Sequence, residues 1–168
     1  MIILKPARRG ACLKALRTAR LSGRRIVFTN GCFDILHVGH IRLLEKAKRL
    51  GDLLVVGLNS DASVRKLKGP HRPVNPEGAR AEVLASLKVV DHVLLFSEET
   101  PEGLIRQIRP DVLIKGGDWK KREVVGRTFV ESYGGKVTLF PVVKGYSTTG
   151  LLDAGQKRTP KKKSLRHH

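Results

Sequence analysis

Ile26-Val27-Phe28-Thr29-Asn30-Gly31-Cys32-Phe33-Asp34-Ile35-Leu36-His37-Val38-Gly39-His40 is the stretch on which the reading of the fold turns. It opens with β-branched and aromatic residues, passes a glycine turn, and runs into helical spacing at Ile41, Leu44 and Ala47 that stops at Gly51. A strand that turns directly into a helix is the first half of a βαβ unit, and such units build parallel sheets. Working outward, the alternation repeats. Strands are expected at Ile26–Asn30, Leu53–Asn59, His92–Phe96, Asp111–Lys115 and Lys136–Phe140. Helices are expected at His40–Leu50, at Glu77–Leu87, at Pro101–Ile108 with Thr100 as N-cap, and at Lys121–Tyr133. The pattern predicts an α/β fold, a five-stranded parallel Rossmann-like sheet with helices on both faces. In an open parallel sheet a ligand sits beyond the carboxyl ends of the strands, where strand order reverses. The residues just after Asn30, Asn59, Phe96, Lys115 and Phe140 are therefore where a site is expected.

The flanks are different in kind. The chain has 168 residues and a formal net charge of +18, and the excess sits at its ends. Residues 1–25 carry Lys5, Arg8, Arg9, Lys14, Arg17, Arg20, Arg24 and Arg25 with no acid; residues 155–168 carry Lys157, Arg158, Lys161, Lys162, Lys163 and Arg166, again with none. Three parts follow: a basic N-terminal helical segment at 1–25, a domain at 26–154 close to charge balance, and a basic tail at 155–168. Within the first, Leu13, Leu16 and Ala19 give Ala11–Leu21 an apolar side for the outside of the domain or a partner subunit. The tail has too little apolar surface to order itself and is expected to be disordered. Only two cysteines occur, Cys12 and Cys32, which argues against a disulfide framework and for a reducing cytoplasm. No apolar run approaches the ~18 residues of a membrane span, and the start lacks the apolar core of a signal peptide. Aromatic residues make up 5% of the chain, too few for a base-stacking platform, so nucleic acid is not an expected partner.

The chemistry gathers in His37-Val38-Gly39-His40. His40 falls at the start of a helix, where free N–H groups and the dipole favour anions. Gly39 lets a phosphate approach the backbone. Two imidazoles there can donate to one phosphoryl group, and phosphoryl-type transfer asks mainly for positioning and charge stabilisation. His37, His40 and Cys32 also read as part of a metal site, but no second Cys-x-x-Cys half accompanies them, and no metal ligands are expected.

Taken together with other segments, this motif resembles the nucleotidyltransferase superfamily with the His-x-Gly-His signature. The nearest likeness is to the stand-alone heptose-1-phosphate adenylyltransferases of bacterial ADP-heptose synthesis. The likeness runs from about Arg25 to Leu152, through Phe28–Asp34, His37–His40, Gly57–Asp61, Lys68–Pro70, Arg72–Asn75, Val90-Asp91, Pro110–Asp118 and Gly145–Thr149. It implies an enzyme that joins ATP, carrying Mg²⁺, to a sugar 1-phosphate and releases pyrophosphate. His37 and His40 would be catalytic. Thr29, Asn30, Gly31, Cys32, Phe33, Gly39, Lys115, Gly116, Asp118, Val142, Ser147, Thr148 and Thr149 would hold the nucleotide. Asp34, Asn59, Lys66, Lys68, Arg72 and Arg80 would hold the acceptor and its phosphate, with Lys66–Pro76 as a basic, proline-rich loop. A homodimer is also implied. Where cytidylyltransferases have an Arg three residues before the glycine of the last motif, this chain has Val142, and Gly150 follows Ser147-Thr148-Thr149. A related enzyme using CTP, or another acceptor such as glycerol 3-phosphate, is the nearer alternative; a nucleic-acid-binding module, suggested by the basic ends, is the more distant one.

Overall fold

The computed structural model describes residues 3–4, 9–117, 123–141, 143, 145, 146, 148 and 150. The strands are β1 (Ile3–Leu4), β2 (Ile26–Gly31), β3 (Leu53–Asn59), β4 (His92–Phe96), β5 (Val112–Gly116) and β6 (Lys136–Phe140). All pair in parallel, in the order β1-β4-β3-β2-β5-β6. The five expected strands are thus present, and the two-residue β1 extends the edge beside β4. The expected Rossmann-like architecture holds.

Helices α1 (Arg9–Leu21), α2 (Val38–Lys48), α3 (Asp61–Lys68), α4 (Glu77–Ala85), α5 (Glu102–Ile108) and α6 (Arg127–Ser132) connect and cover the strands. Alternate strand residues face opposite layers. Ile26, Phe28, Leu53 and Val55 join Leu16 of α1, Ile105 and Ile108 of α5, and Val130 of α6 in one core. Val27, Leu54, Val56 and Leu58 join Leu43, Leu44 and Ala47 of α2 and Ala81 and Leu84 of α4 in the other. Helix α1 therefore buries Cys12, Leu16 and Ala19 in the main fold. Its Arg20 donates to the carbonyls of Ile108 and Arg109, at the open end of α5.

Some boundaries differ from expectation. Thr100 does not cap α5; the N-cap position is Pro101, without a side-chain bond. The fourth expected helix shrinks to α6, because Gly126 stands at its start with φ of 83°. Helix α3 occupies part of the expected loop, so Lys66 and Lys68 lie in its last turn. Its start is set by Ser60, whose hydroxyl accepts the Ser63 N–H at 3.2 Å.

At the amino ends of the strands three aspartates hold the sheet. Asp111 accepts from Ile26 N–H, Asp52 from Arg25 N–H, and Asp91 from Leu54 N–H and the Lys48 ammonium. The carboxyl ends are left to carry the site.

Candidate functional site

β2 pairs with β3 along its whole length, from Ile26↔Leu53 to Gly31↔Leu58. It pairs with β5 only at Val27↔Val112 and Phe28↔Leu113. Beyond that point the central strands part, as they must where connections leave in opposite directions. Lys115 spans the gap, its ammonium 3.3 Å from the Asn30 carbonyl and 3.2 Å from the Asn30 side-chain oxygen. Above the gap opens a cleft of about 670 Å³, lined by residues that follow β2, β3, β4, β5 and β6. That volume lies in the range of small-molecule sites, about 300–1,000 Å³.

His37 stands at the N-cap of α2 and His40 three residues on. Their rings stack with centroids 3.8 Å apart and planes 24° apart. A Cβ on Gly39 would sit 3.0 Å from the His37 ring, so glycine here makes room for the imidazole as well as for a ligand. Phe33 backs His40, with ring centroids 5.1 Å apart. To do so it adopts φ of 43°, a left-handed conformation that a bulky residue holds only under constraint. Burial lowers the His37 pKa, and burial with the neighbouring His37 lowers that of His40 to about 4. Both rings are therefore neutral near pH 7. Among the described residues neither buried Nδ1 finds a hydrogen-bond partner, which fits the tautomer that carries its proton on Nε2. A stacked neutral pair can donate to an anion without being repelled by its own charge.

Cations share the cleft with the pair. Lys68, Arg72 and Lys115 line the cleft. Burial pulls the Lys115 pKa down, with Cys32 acting weakly the other way. Burial pushes the Cys32 thiol up, against the pull of Lys68, Arg80, Lys115 and Arg72; it stays protonated and is no nucleophile at neutral pH.

Of the expected site residues, the structure brings Asn30, Gly31, Cys32, Phe33, Asp34, His37, Gly39, His40, Asn59, Lys68, Arg72, Lys115, Gly116 and Thr148 to this one cleft. Thr148 also donates to the Ile35 carbonyl at 3.4 Å. Three others stand apart. Thr29 is wholly buried within β2, because the strand alternation turns it into the core, and its hydroxyl has no partner among the described residues. Lys66 is exposed on α3, outside the lining. Arg80 is 2% exposed and also outside the lining; its guanidinium donates to the carbonyls of Asn75, Cys32 and Asn59 and to Asp61. Asp34 borders the cleft, but its carboxylate accepts from Arg72 Nε at 2.6 Å and from the Val74 and Asn75 N–H groups. Burial opposes its ionisation, yet those donors outweigh burial and hold its pKa below the ordinary value. Such a carboxylate anchors a loop and has little capacity left for a sugar hydroxyl. Asp118, Val142, Ser147 and Thr149 lie outside the described residues, as does the tail.

The cleft also has walls that the residue-by-residue reading did not name. Glu99 and Thr100 follow β4, and Leu67, Val125 and Tyr146 form a partly exposed apolar rim. The strand-end rule points to the first of these, but Thr100-Pro101 carries a stronger helix-start signal that hides it.

Comparison with known proteins places these features in a family context. A family model described as cytidylyltransferase-like matches residues 28–149. The protein called bifunctional protein HldE is 56% identical over 138 residues in Syntrophotalea carbinolica, covering 82% of this chain and 28% of that protein. In Geobacter sulfurreducens it is 55% identical over 134 residues, covering 80% and 27%. The chain thus spans little more than a quarter of these curated relatives. Among solved structures, the lipopolysaccharide core biosynthesis protein of Thermoplasma volcanium is 34% identical with a TM-score of 0.60, covering 74% of this chain and all of that one. The pantoate-beta-alanine ligase of Francisella tularensis, at 18% identity and a TM-score of 0.55 over 86% of this chain and 75% of its own, shares the fold alone.

Proposed function

Because the chain belongs to the cytidylyltransferase-like family, we propose that it transfers the adenylyl group of ATP to heptose 1-phosphate, giving ADP-heptose and pyrophosphate. The observation that carries the transfer reaction is the stacked, uncharged His37–His40 pair at the start of α2, opening on a cleft with Lys68, Arg72 and Lys115. In the reaction a phosphate oxygen of the acceptor attacks the α-phosphorus of ATP in line. One P–O bond forms to the acceptor, the bond to the bridging β-phosphate oxygen breaks, and pyrophosphate leaves. The attacking oxygen is already anionic, so no base is needed. Work falls to hydrogen-bond donors that stabilise charge on the transferring group. His37 and His40 supply two, and Lys115 supplies positive charge from the floor. Asn30, Gly31, Phe33 and Gly116 would flank the nucleotide, with Asp118, Val142, Ser147, Thr148 and Thr149 completing its side. Lys68 and Arg72 would hold the acceptor phosphate.

Mg²⁺ enters as the ion of the ATP complex. Among the described residues no group of three His, Cys, Asp or Glu side chains is arranged to hold a metal, and this ion usually binds through substrate phosphates. The acceptor class is supported by Lys68–Asn75 and Lys115–Asp118, the segments that carry the heptose likeness, and by the 34% identity to the lipopolysaccharide core biosynthesis protein. The catalytic domain in this reading is 26–154, working in the cytoplasm as a homodimer; Leu21, 84% exposed at the end of α1, is an apolar residue a second copy would cover. Among the described residues no helix is long and apolar enough to cross a membrane.

The test is pyrophosphate release with ATP and CTP against heptose 1-phosphate, hexose 1-phosphates and glycerol 3-phosphate. Highest kcat/KM is expected for ATP with heptose 1-phosphate. Preference for CTP or for glycerol 3-phosphate would select the alternative within the family, and no release with any pair would overturn the reading.

A further inference from the structure

Arg80 invites a different role from that of a phosphate ligand. Its side chain is 1% exposed, and four hydrogen bonds tie it to four separate places. Nε donates to the Asn75 carbonyl at 2.9 Å, Nη1 to the Cys32 carbonyl at 2.6 Å and the Asn59 carbonyl at 2.9 Å, and Nη2 to Asp61 Oδ1 at 2.6 Å. Cys32 follows β2, Asn59 ends β3, Asp61 begins α3, and Asn75 closes the loop before α4. These backbone segments carry or adjoin one half of the cleft lining: Asp34, Asn59, Lys68 and Arg72. Asp34 joins the same lattice from the other side, through Arg72, Val74 and Asn75, and Asn75 Nδ2 returns a bond to the Asp34 carbonyl at 2.8 Å. Among the described residues no bond from Arg80 reaches the half built by Lys115 and Gly116.

We propose that Arg80 is a positioning residue for the acceptor half of the site, setting the placement of Lys68 and Arg72 without touching substrate. The proposal rests on the assignment of that half to the acceptor. The planar fork of an arginine satisfies four acceptors at once in fixed directions; a lysine ammonium offers three donors from a single point. Replacement by lysine keeps the charge and loses the geometry. Displacing catalytic groups by about 1 Å can cost on the order of 10²-fold in rate, and the loss should fall on the acceptor side.

The experiment compares wild type with Arg80→Lys and, should that chain fail to fold, with Asp61→Ala, which removes one anchor at a partner whose side chain is 24% exposed. Three quantities are read: the Kd of MgATP by calorimetry, KM and kcat for the sugar 1-phosphate, and amide exchange across residues 32–34 and 69–76. The expected result is an ATP Kd within about twofold of wild type, an acceptor KM raised about tenfold or more, and faster exchange in both segments. An unchanged acceptor KM in a folded variant, or an ATP Kd that rises in step with it, overturns the proposal. A wild type inactive on every sugar 1-phosphate would sink the functional reading instead. The exchange measurement needs no substrate, so unchanged exchange in both segments overturns the positioning role in that case too.

Discussion

The imidazole of His40 has its pKa lowered to about 4 by burial and by His37, and two measurements follow from that. Replacing His37 or His40 with alanine should lower kcat by about 10²–10³-fold, the scale of losing one oriented donor, with the circular-dichroism spectrum unchanged. Stability should also respond to pH. The unfolded chain takes up the His40 proton near its ordinary value of 6.5, and the folded chain only near 4. As pH falls through that window the unfolded state binds more protons, so stability present above 6.5 is lost toward 4. His37 and His92 are lowered as well and act in the same direction. The test is therefore a difference: urea midpoints of His40→Gln should fall less than those of wild type between pH 7 and 4.5, and equal slopes would contradict the assignment. Asp34 acts in a separate window, since its depressed carboxylate loses its contribution only as pH falls below about 3.8. At Gly39, alanine should displace the His37 ring, which a Cβ would meet at 3.0 Å, and both reduce kcat and weaken ATP binding, since the same space admits the phosphates. The histidines were legible in the sequence because a turn between strand and helix limits what they can do. The orientations of Thr29, Asp34 and Arg80 were not. Each sits in a motif that points to the site, but which way a side chain faces is decided by strand alternation and by partners as distant in sequence as Asn59 is from Arg80.

Strands and helices were readable to different degrees. β3, β4 and β6 coincide with their expected bounds, because continuous β-branched and aliphatic runs flanked by turn residues leave little choice. α3 escaped notice since it has no apolar stripe; within its eight residues only Ser63 and Val64 are buried, and three of the rest are basic. Its capping serine was the available signal. Ser60→Ala should lower stability by about 1 kcal/mol, read from chemical denaturation. It should also raise the acceptor KM, since α3 carries Lys68 on its last turn. A variant with normal stability would mean that the Ser60 bond contributes nothing to holding the helix. β1 was not expected at all, for two residues beside a proline give no periodicity to read.

Over the whole molecule, charge and topology set the remaining expectations. Removing residues 155–168 takes away six basic side chains and should leave kcat unchanged at about 0.15 M salt, where the screening length is near 8 Å. A loss that appears only at low salt would show that the tail steers anionic substrates. The parted strands β2 and β5 carry a last consequence, one of folding. Residues 26–96 assemble β2, β3 and β4 from crossovers between neighbours in the chain, whereas β5 must return past all of them to reach β2. Contacts between distant segments form late because closing the long loop costs entropy before any pairing repays it. The ladder it finds there joins only Val27 and Phe28 to Val112 and Leu113. Until β5 docks there the cleft lacks its wall of Lys115, Gly116 and Gly117, so a growing chain cannot complete the site before that strand has been made and paired.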